Sequence, residues 1–241
     1  MDQLIADQLR SELPDAVIGS EVIVLEQTGS TNDAILQVTS RQGTALSPSL
    51  GEGGSPPPIP EGLVVFAEHQ TTGRGQRGNR WESTGGKGLW FSILLRPEIN
   101  LSDSGLLTIW AIETIADVIR TQCDLEPVIK LPNDVQLYGR KVAGVLVEMR
   151  AQNKAPHIGV IGIGINMNQC REDFPAHLRH RAISIAMAVG RQVDRQKFAR
   201  ALLRNMDLTY RQKFSRAVTT VNSPPAPTAN HDKSVARSRT A

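Results

Sequence analysis

Residues 128–150 read VIKLPNDVQLYGRKVAGVLVEMR, and residues 157–166 follow with HIGVIGIGIN. Four apolar runs of strand length stand out: Val128 to Leu131, Val135 to Tyr138, Val142 to Met149 and Ile158 to Ile165. Pro132-Asn133-Asp134 and Gly139 separate the first three, and both are turn formers. Such runs are predicted as strands, at least two of them paired across the turn at Gly139. Upstream, Leu63 to Ala67 and Leu89 to Leu95 are further short strands, and Val22 to Leu25 is strand-like. Helices surround them. Leu106, Ile109, Trp110, Ile112, Ala116 and Ile119 fall near helical spacing and predict a buried helix over 106–119. Residues 193–214 form an amphipathic helix, and residues 4–13 a short one. Ser30 opens another, where its hydroxyl and that of Thr31 are available to cap the first turn. Strands gathered centrally with helices around them predict an α+β domain on one mixed or antiparallel sheet. The strand order is not readable.

Composition narrows the function. The chain has 241 residues, 40% of them hydrophobic and only 4% aromatic, which suits one large domain. No apolar run reaches the ~20 residues of a membrane-spanning helix, and the acidic N-terminus MDQLIADQLRSELPD does not look like a signal peptide. Cys123 and Cys170 lack metal-ligand spacing, so no tightly bound metal is expected and a reducing cytoplasm is the natural compartment. The net charge of +3 lies in the segment after Phe214, where Arg216, Lys233, Arg237 and Arg239 face only Asp232. The remainder is formally neutral, which argues against a nucleic-acid partner. Residues 43–60, GTALSPSLGEGGSPPPIP, are expected to be a flexible loop, and residues 215–241 a low-complexity tail.

Three segments carry chemistry. In residues 73–78, Gly73, Gly75 and Gly78 match a dinucleotide fingerprint, but NRWESTGGKG follows with no helical pattern, which rules that reading out. What remains is a polar loop with Arg74, Arg77 and Arg80, able to fold over a carboxylate or phosphate. Lys141 stands at the mouth of the apolar strand VAGVLVE. It can snorkel into solvent or act as a fixed cation at a reacting anion; the residues alone leave these level. In IGIGIN, Gly162 and Gly164 strip side chains from one strand face, which either lets a flat ligand lie against the backbone or marks tight packing.

GSTND (29–33), HQTTGRGQRGNRW (69–81), KLPNDV (130–135), GRKVAGVLVE (139–148) and GIGINMN (162–168) occur in the order and approximate spacing of biotin–protein ligases, which the chain resembles from Ser30 to about Phe214. The resemblance implies a mixed sheet similar to that of class II aminoacyl-tRNA synthetases, within a catalytic domain over residues 1–214. It implies that biotin's carboxylate attacks the α-phosphate of Mg-ATP, giving biotinyl-5′-AMP. A lysine of a biotin carboxyl carrier domain of a carboxylase then takes the biotinyl group. Carried over by position, Lys141 and Arg74 are catalytic. Ser30, Thr31, Gln70, Gly73, Arg74, Gly75, Gln76, Lys141, Gly144, Leu146, Gly162 and Gly164 would hold biotin. Arg77, Trp81, Asn133, Asp134 and Asn166 would serve the nucleotide, Trp81 packing near adenine. Beyond biotin, ATP and the carrier, no nucleic acid or membrane is expected, while homodimerisation stays open.

Departures matter. Gln76 stands where the family often has a second arginine, and Leu131 replaces a tryptophan. Residues 215–241 do not read as the family's small C-terminal domain, and the stretch before Val22 leaves no room for a winged-helix domain, so no repressor role is expected. The rivals are a lipoate ligase or octanoyltransferase, against which the Gly-Arg-Gly loop argues, and a biotin-binding module with impaired catalysis.

Overall fold

The computed structural model describes residues 3–11, 13, 15–40, 60–152 and 156–214. The expected loop at 43–60 lies outside them except for Pro60, and the tail 215–241 lies wholly outside. Seven strands form one mixed sheet: β1 (Val22–Thr28), β2 (Val64–Gln70), β3 (Gly88–Leu95), β4 (Val128–Lys130), β5 (Asp134–Leu137), β6 (Arg140–Arg150) and β7 (Ile158–Asn166). Their spatial order is β1-β2-β3-β7-β6-β5-β4, with only β1 and β2 parallel. The strands expected between 128 and 165 pair as an antiparallel meander, in which positive φ at Tyr138 and Gly139 closes the tight β5–β6 turn.

The helices are α1 (Ala6–Arg10), α2 (Thr31–Ser40), α3 (Gly105–Cys123), α4 (Ile185–Val189) and α5 (Arg195–Phe214). None among the described residues is long and apolar enough to cross a membrane. Side-chain alternation sorts the sheet into two faces. Leu89, Phe91, Ile93, Ile161, Ile163, Ile165, Ala143 and Val145 join one large core with α3 and α5. Leu94 and Val160, from the alternate positions, join a smaller cluster with Ala34, Ile35 and Leu36 of α2. The other alternate positions on that second face build a cleft.

Two local expectations are corrected. On α3, Trp110, Ile112, Ala116 and Ile119 are buried as expected, but Leu106 and Ile109 are exposed, and Leu107, Ile115 and Val118 complete the buried face. Thr31's hydroxyl, expected to cap its helix, faces Gln70 Oε1 at 3.1 Å and Ser92 Oγ at 2.8 Å, both on strands of the sheet.

Candidate active site

The cleft lies over the ends of β6 and β7, roofed by the polar segment between β2 and β3. That segment is a narrow hairpin rather than a loose loop. Gly75 donates to Asn79 O at 2.7 Å, Trp81 to Gly73 O at 2.9 Å, and Arg74 bridges Arg80 across the strands. Residues 76–78 make one tight turn with Arg77 at φ +57°. The absence of a longer helix here accords with setting the dinucleotide reading aside.

The cleft floor is backbone. Gly144 and Gly164 are register partners on β6 and β7, and a Cβ on Gly164 would sit 2.5 Å from the Trp81 ring. The indole lies flat where the missing side chains leave room. Trp81 Nε1 is buried without a hydrogen-bond partner. An unsatisfied buried donor is destabilising by roughly 1–3 kcal/mol, so the ring is seated by area and not by a directed bond. Trp90 meets it edge-on at 6.0 Å. Gly162 has a different cause for its missing Cβ, which would meet Asn32 Oδ1 at 2.3 Å: the glycine makes space for the amide of α2.

Lys141 turns its ammonium into the cleft, 5.1 Å from the centre of the Trp81 ring and 2.6 Å from Asp134 Oδ1. Its backbone is held on both sides, donating to Arg181 O and accepting from Ile183 N. Arg74 extends from the hairpin and forks: Nη1 reaches Asp33 Oδ1 at 2.6 Å and Nη2 reaches Glu148 Oε2 at 2.8 Å. Burial works against this charge, but the two carboxylates outweigh it and raise the guanidinium pKa.

Most residues expected at the site line this one cleft. Ser30, Thr31 and Gln70 stand at one end, with Gln70 Oε1 accepting from Thr31 N at 2.8 Å and Gln70 Nε2 donating to Ser83 Oγ at 3.1 Å. Arg74, Gly75, Gln76, Arg77 and Trp81 form the roof, and Asn133, Asp134, Lys141, Gly144, Leu146, Gly162 and Gly164 the wall and floor. Two expected residues do not line it. Gly73 underlies Trp81, where a Cβ would meet Trp81 O at 2.6 Å. Asn166 is buried and donates to Ile183 O at 3.1 Å, fastening the end of β7 to the segment before α4. Trp81 covers the glycine floor. Sequence reasoning missed Asn32 and Glu148; Asn32 lies inside the GSTND motif already singled out, and Glu148 shares the strand face of Gly144 and Leu146.

The model of the biotin/lipoate A/B protein ligase family matches residues 52–166. The chain is 36% identical over 162 residues to the bifunctional ligase/repressor BirA of Bacillus spizizenii, covering 67% of this chain and 50% of that protein. It is 29% identical over 204 residues to the biotin–[acetyl-CoA-carboxylase] ligase of Mycobacterium tuberculosis, covering 81% of this chain and 68% of that protein. The chain thus spans about half the length of the BirA relatives it matches. Among solved structures, the biotin protein ligase of Aquifex aeolicus in complex with biotin and ATP superposes with TM-score 0.60 at 26% identity, over 81% of this chain and 73% of that one. A point mutant of that same ligase in complex with biotin gives TM-score 0.62 at 25% identity, over 81% and 72%.

Proposed function

We propose that this chain, whose residues 52–166 match the model of the biotin/lipoate A/B protein ligase family, is a biotin–protein ligase: it joins biotin to AMP and passes the biotinyl group to a lysine of a carboxylase's carrier domain. The observation that carries the reading is the convergence of Lys141, the Arg74 hairpin and the Gly144/Gly164 floor, from three separate stretches of chain, on one cleft.

The chemistry asks for cations more than for a base. A carboxylate attacking the α-phosphate brings two anions together, and a positioned positive charge lowers that barrier. Lys141 supplies one, held by Asp134 so that it points along the floor rather than into solvent. In the first step biotin's carboxylate oxygen bonds to the α-phosphorus and pyrophosphate departs. In the second, the carrier lysine's amine attacks the acyl carbon, loses a proton and releases AMP. Magnesium belongs to the nucleotide substrate. A flat ring fits the floor because Trp81 already rests on it, so a bound ligand ring takes that seat and the indole moves aside. Ser30, Thr31 and Gln70 offer hydroxyl and amide groups to the polar head of biotin.

The test is incorporation of labelled biotin into a purified carrier domain with MgATP. Wild type should label the carrier, and Lys141→Ala should lose at least about 100-fold in rate. Labelling by lipoate in place of biotin would move the chain to the lipoate branch of the family. Tight biotin binding with no adenylate formed would make it a binding module.

A further inference from the structure

We infer that Glu148 is a positioning residue that ties the Arg74 hairpin to Asn32 at the glycine floor, and so sets how firmly the roof sits over bound biotin. The inference rests on the biotin reading for its ligand, but the geometry stands alone.

On the cleft face of β6 the side chains run Gly144, Leu146, Glu148, opposite Gly164, Gly162 and Val160 of β7. Three glycines leave the face bare, and the carboxylate ends it. Glu148 Oε2 accepts from Asn32 Nδ2 at 2.6 Å and from Arg74 Nη2 at 2.8 Å. Asn32 cannot turn over, because its Oδ1 accepts from Ser92 Oγ at 2.5 Å and its amide fills the space left by Gly162. Ser92 Oγ lies 2.8 Å from Thr31 Oγ1, which in turn is 3.1 Å from Gln70 Oε1. Polar contacts therefore run from Gln70 through Thr31, Ser92 and Asn32 to Glu148 and Arg74. The two hydroxyls supply two protons for the three contacts between Gln70 Oε1 and Asn32 Oδ1, so one of those three is an oxygen–oxygen contact and the directed bonds are those at Glu148. One end offers groups to a ligand's polar head; the other is the guanidinium that fastens the hairpin.

A carboxylate strengthens the joint by its charge. It must accept from an amide and from a guanidinium through one oxygen, and charge-assisted bonds of this kind are about twice as strong as neutral ones. An amide at this position would carry no charge and would present a donor on one side. The fork to Asp33 is the second fastening, from the exposed side of α2. Glu148 itself is about a third exposed, so its replacement by an isostere does not open the core.

The experiment uses the full chain with Glu148→Gln and, as an independent break of the same fork, Asp33→Asn. Limited trypsin digestion without ligand, read by mass spectrometry at Arg74, Arg77 and Arg80, reports on the hairpin; biotin dissociation and steady-state kinetics report on the coupling. Expected for E148Q are faster cleavage within 74–80, biotin release about tenfold faster, and a KM for biotin raised by a similar factor with kcat within about twofold. D33N should speed cleavage in the same sense but disturb biotin less, because it does not touch Asn32. If E148Q fails to fold, Glu148→Asp, which keeps the charge but shortens the reach, takes its place in the same assays. A cleavage rate equal to wild type in the Glu148 variant overturns the proposal, as does a loss confined to kcat. A wild type that never binds biotin overturns the biotin reading instead and leaves the clamp to be judged by ligand-free cleavage.

Discussion

At the scale of single residues, the floor glycines decide what the cleft can accept. A methyl on Gly164 would stand 2.5 Å from the Trp81 ring and in the plane where a ligand ring would lie. Trp81 belongs to a hairpin and can shift, so Gly164→Ala should fold, with a Tm close to wild type. Its affinity for biotin should fall by about tenfold or more, which corresponds to ~1.4 kcal/mol; calorimetric titration measures it, and an unchanged Kd would remove the floor from the ligand's path. Gln76 begins the tight turn of the roof and lines the cleft without a charge. Gln76→Arg should restore a cation there and slow escape of biotinyl-AMP by a few-fold, read as free adenylate released during turnover; equal release would show that Arg74 suffices. Much of this was legible in the sequence, since the residues gathered in the cleft come from motifs with characteristic spacing. The role of Gly162 was not. Its alternation with Gly164 suggests one shared cause, yet Asn32, more than a hundred positions away, determines it, and no local pattern announces a contact of that separation.

At the scale of elements, an ion pair ties the start of β3 to the segment after β7. Lys87, just before β3, holds both oxygens of Asp173 at 2.7 and 2.6 Å, and the same carboxylate accepts from Cys170 N at 2.8 Å. Burial alone would push the Asp173 carboxyl up, but the bonds from Lys87 and Cys170 outweigh it and hold the group below its usual range. The hydrogen bond to Asp173 raises the Lys87 ammonium. A depressed carboxyl stabilises the fold above its unfolded pKa of about 3.9 and loses that contribution as pH falls through the folded value. A raised lysine contributes fully below about pH 10.4 and loses it only as pH rises through its higher folded value. Asp173→Asn should therefore lower stability by about 1 kcal/mol between roughly pH 5 and 9. The gap from wild type should close in acid, measured by urea unfolding across pH; a gap that persists at pH 2 would assign the loss to packing. Element identity was readable wherever apolar runs met turn residues, as at Gly139. The face of α3 was readable in part: Trp110, Ile112, Ala116 and Ile119 are buried as their spacing predicts, but Leu106 and Ile109 are apolar residues on the stripe that Glu113, Asp117 and Arg120 continue toward solvent. Helix α4 has only five residues, too few for a period to register.

At the scale of the whole molecule, the sheet divides labour between its faces. The α3/α5 side holds the large core, and the α2 side holds the cleft. The order β1-β2-β3-β7-β6-β5-β4 could not be read from the chain, because β3 pairs with β7 across more than sixty intervening residues and periodicity carries no information about partners. What links the N-terminal segment to the rest is equally non-local. Asp207 on α5 accepts from Val17 N at 2.7 Å and Ile18 N at 2.9 Å, and Arg211 Nε lies 3.0 Å from its other oxygen. Removing that carboxylate leaves the Ile18 amide buried without its acceptor, a loss of roughly 2–3 kcal/mol. For a domain of this size each kcal/mol moves Tm by about 2–4 °C. Asp207→Ala should thus unfold several degrees earlier than wild type, while its KM for biotin at 25 °C stays within about twofold, because no side chain of the cleft touches Asp207. A variant that loses affinity in step with stability would mean that the two faces of the sheet are mechanically coupled, and that strain in the α5 side reaches the glycine floor through β6 and β7.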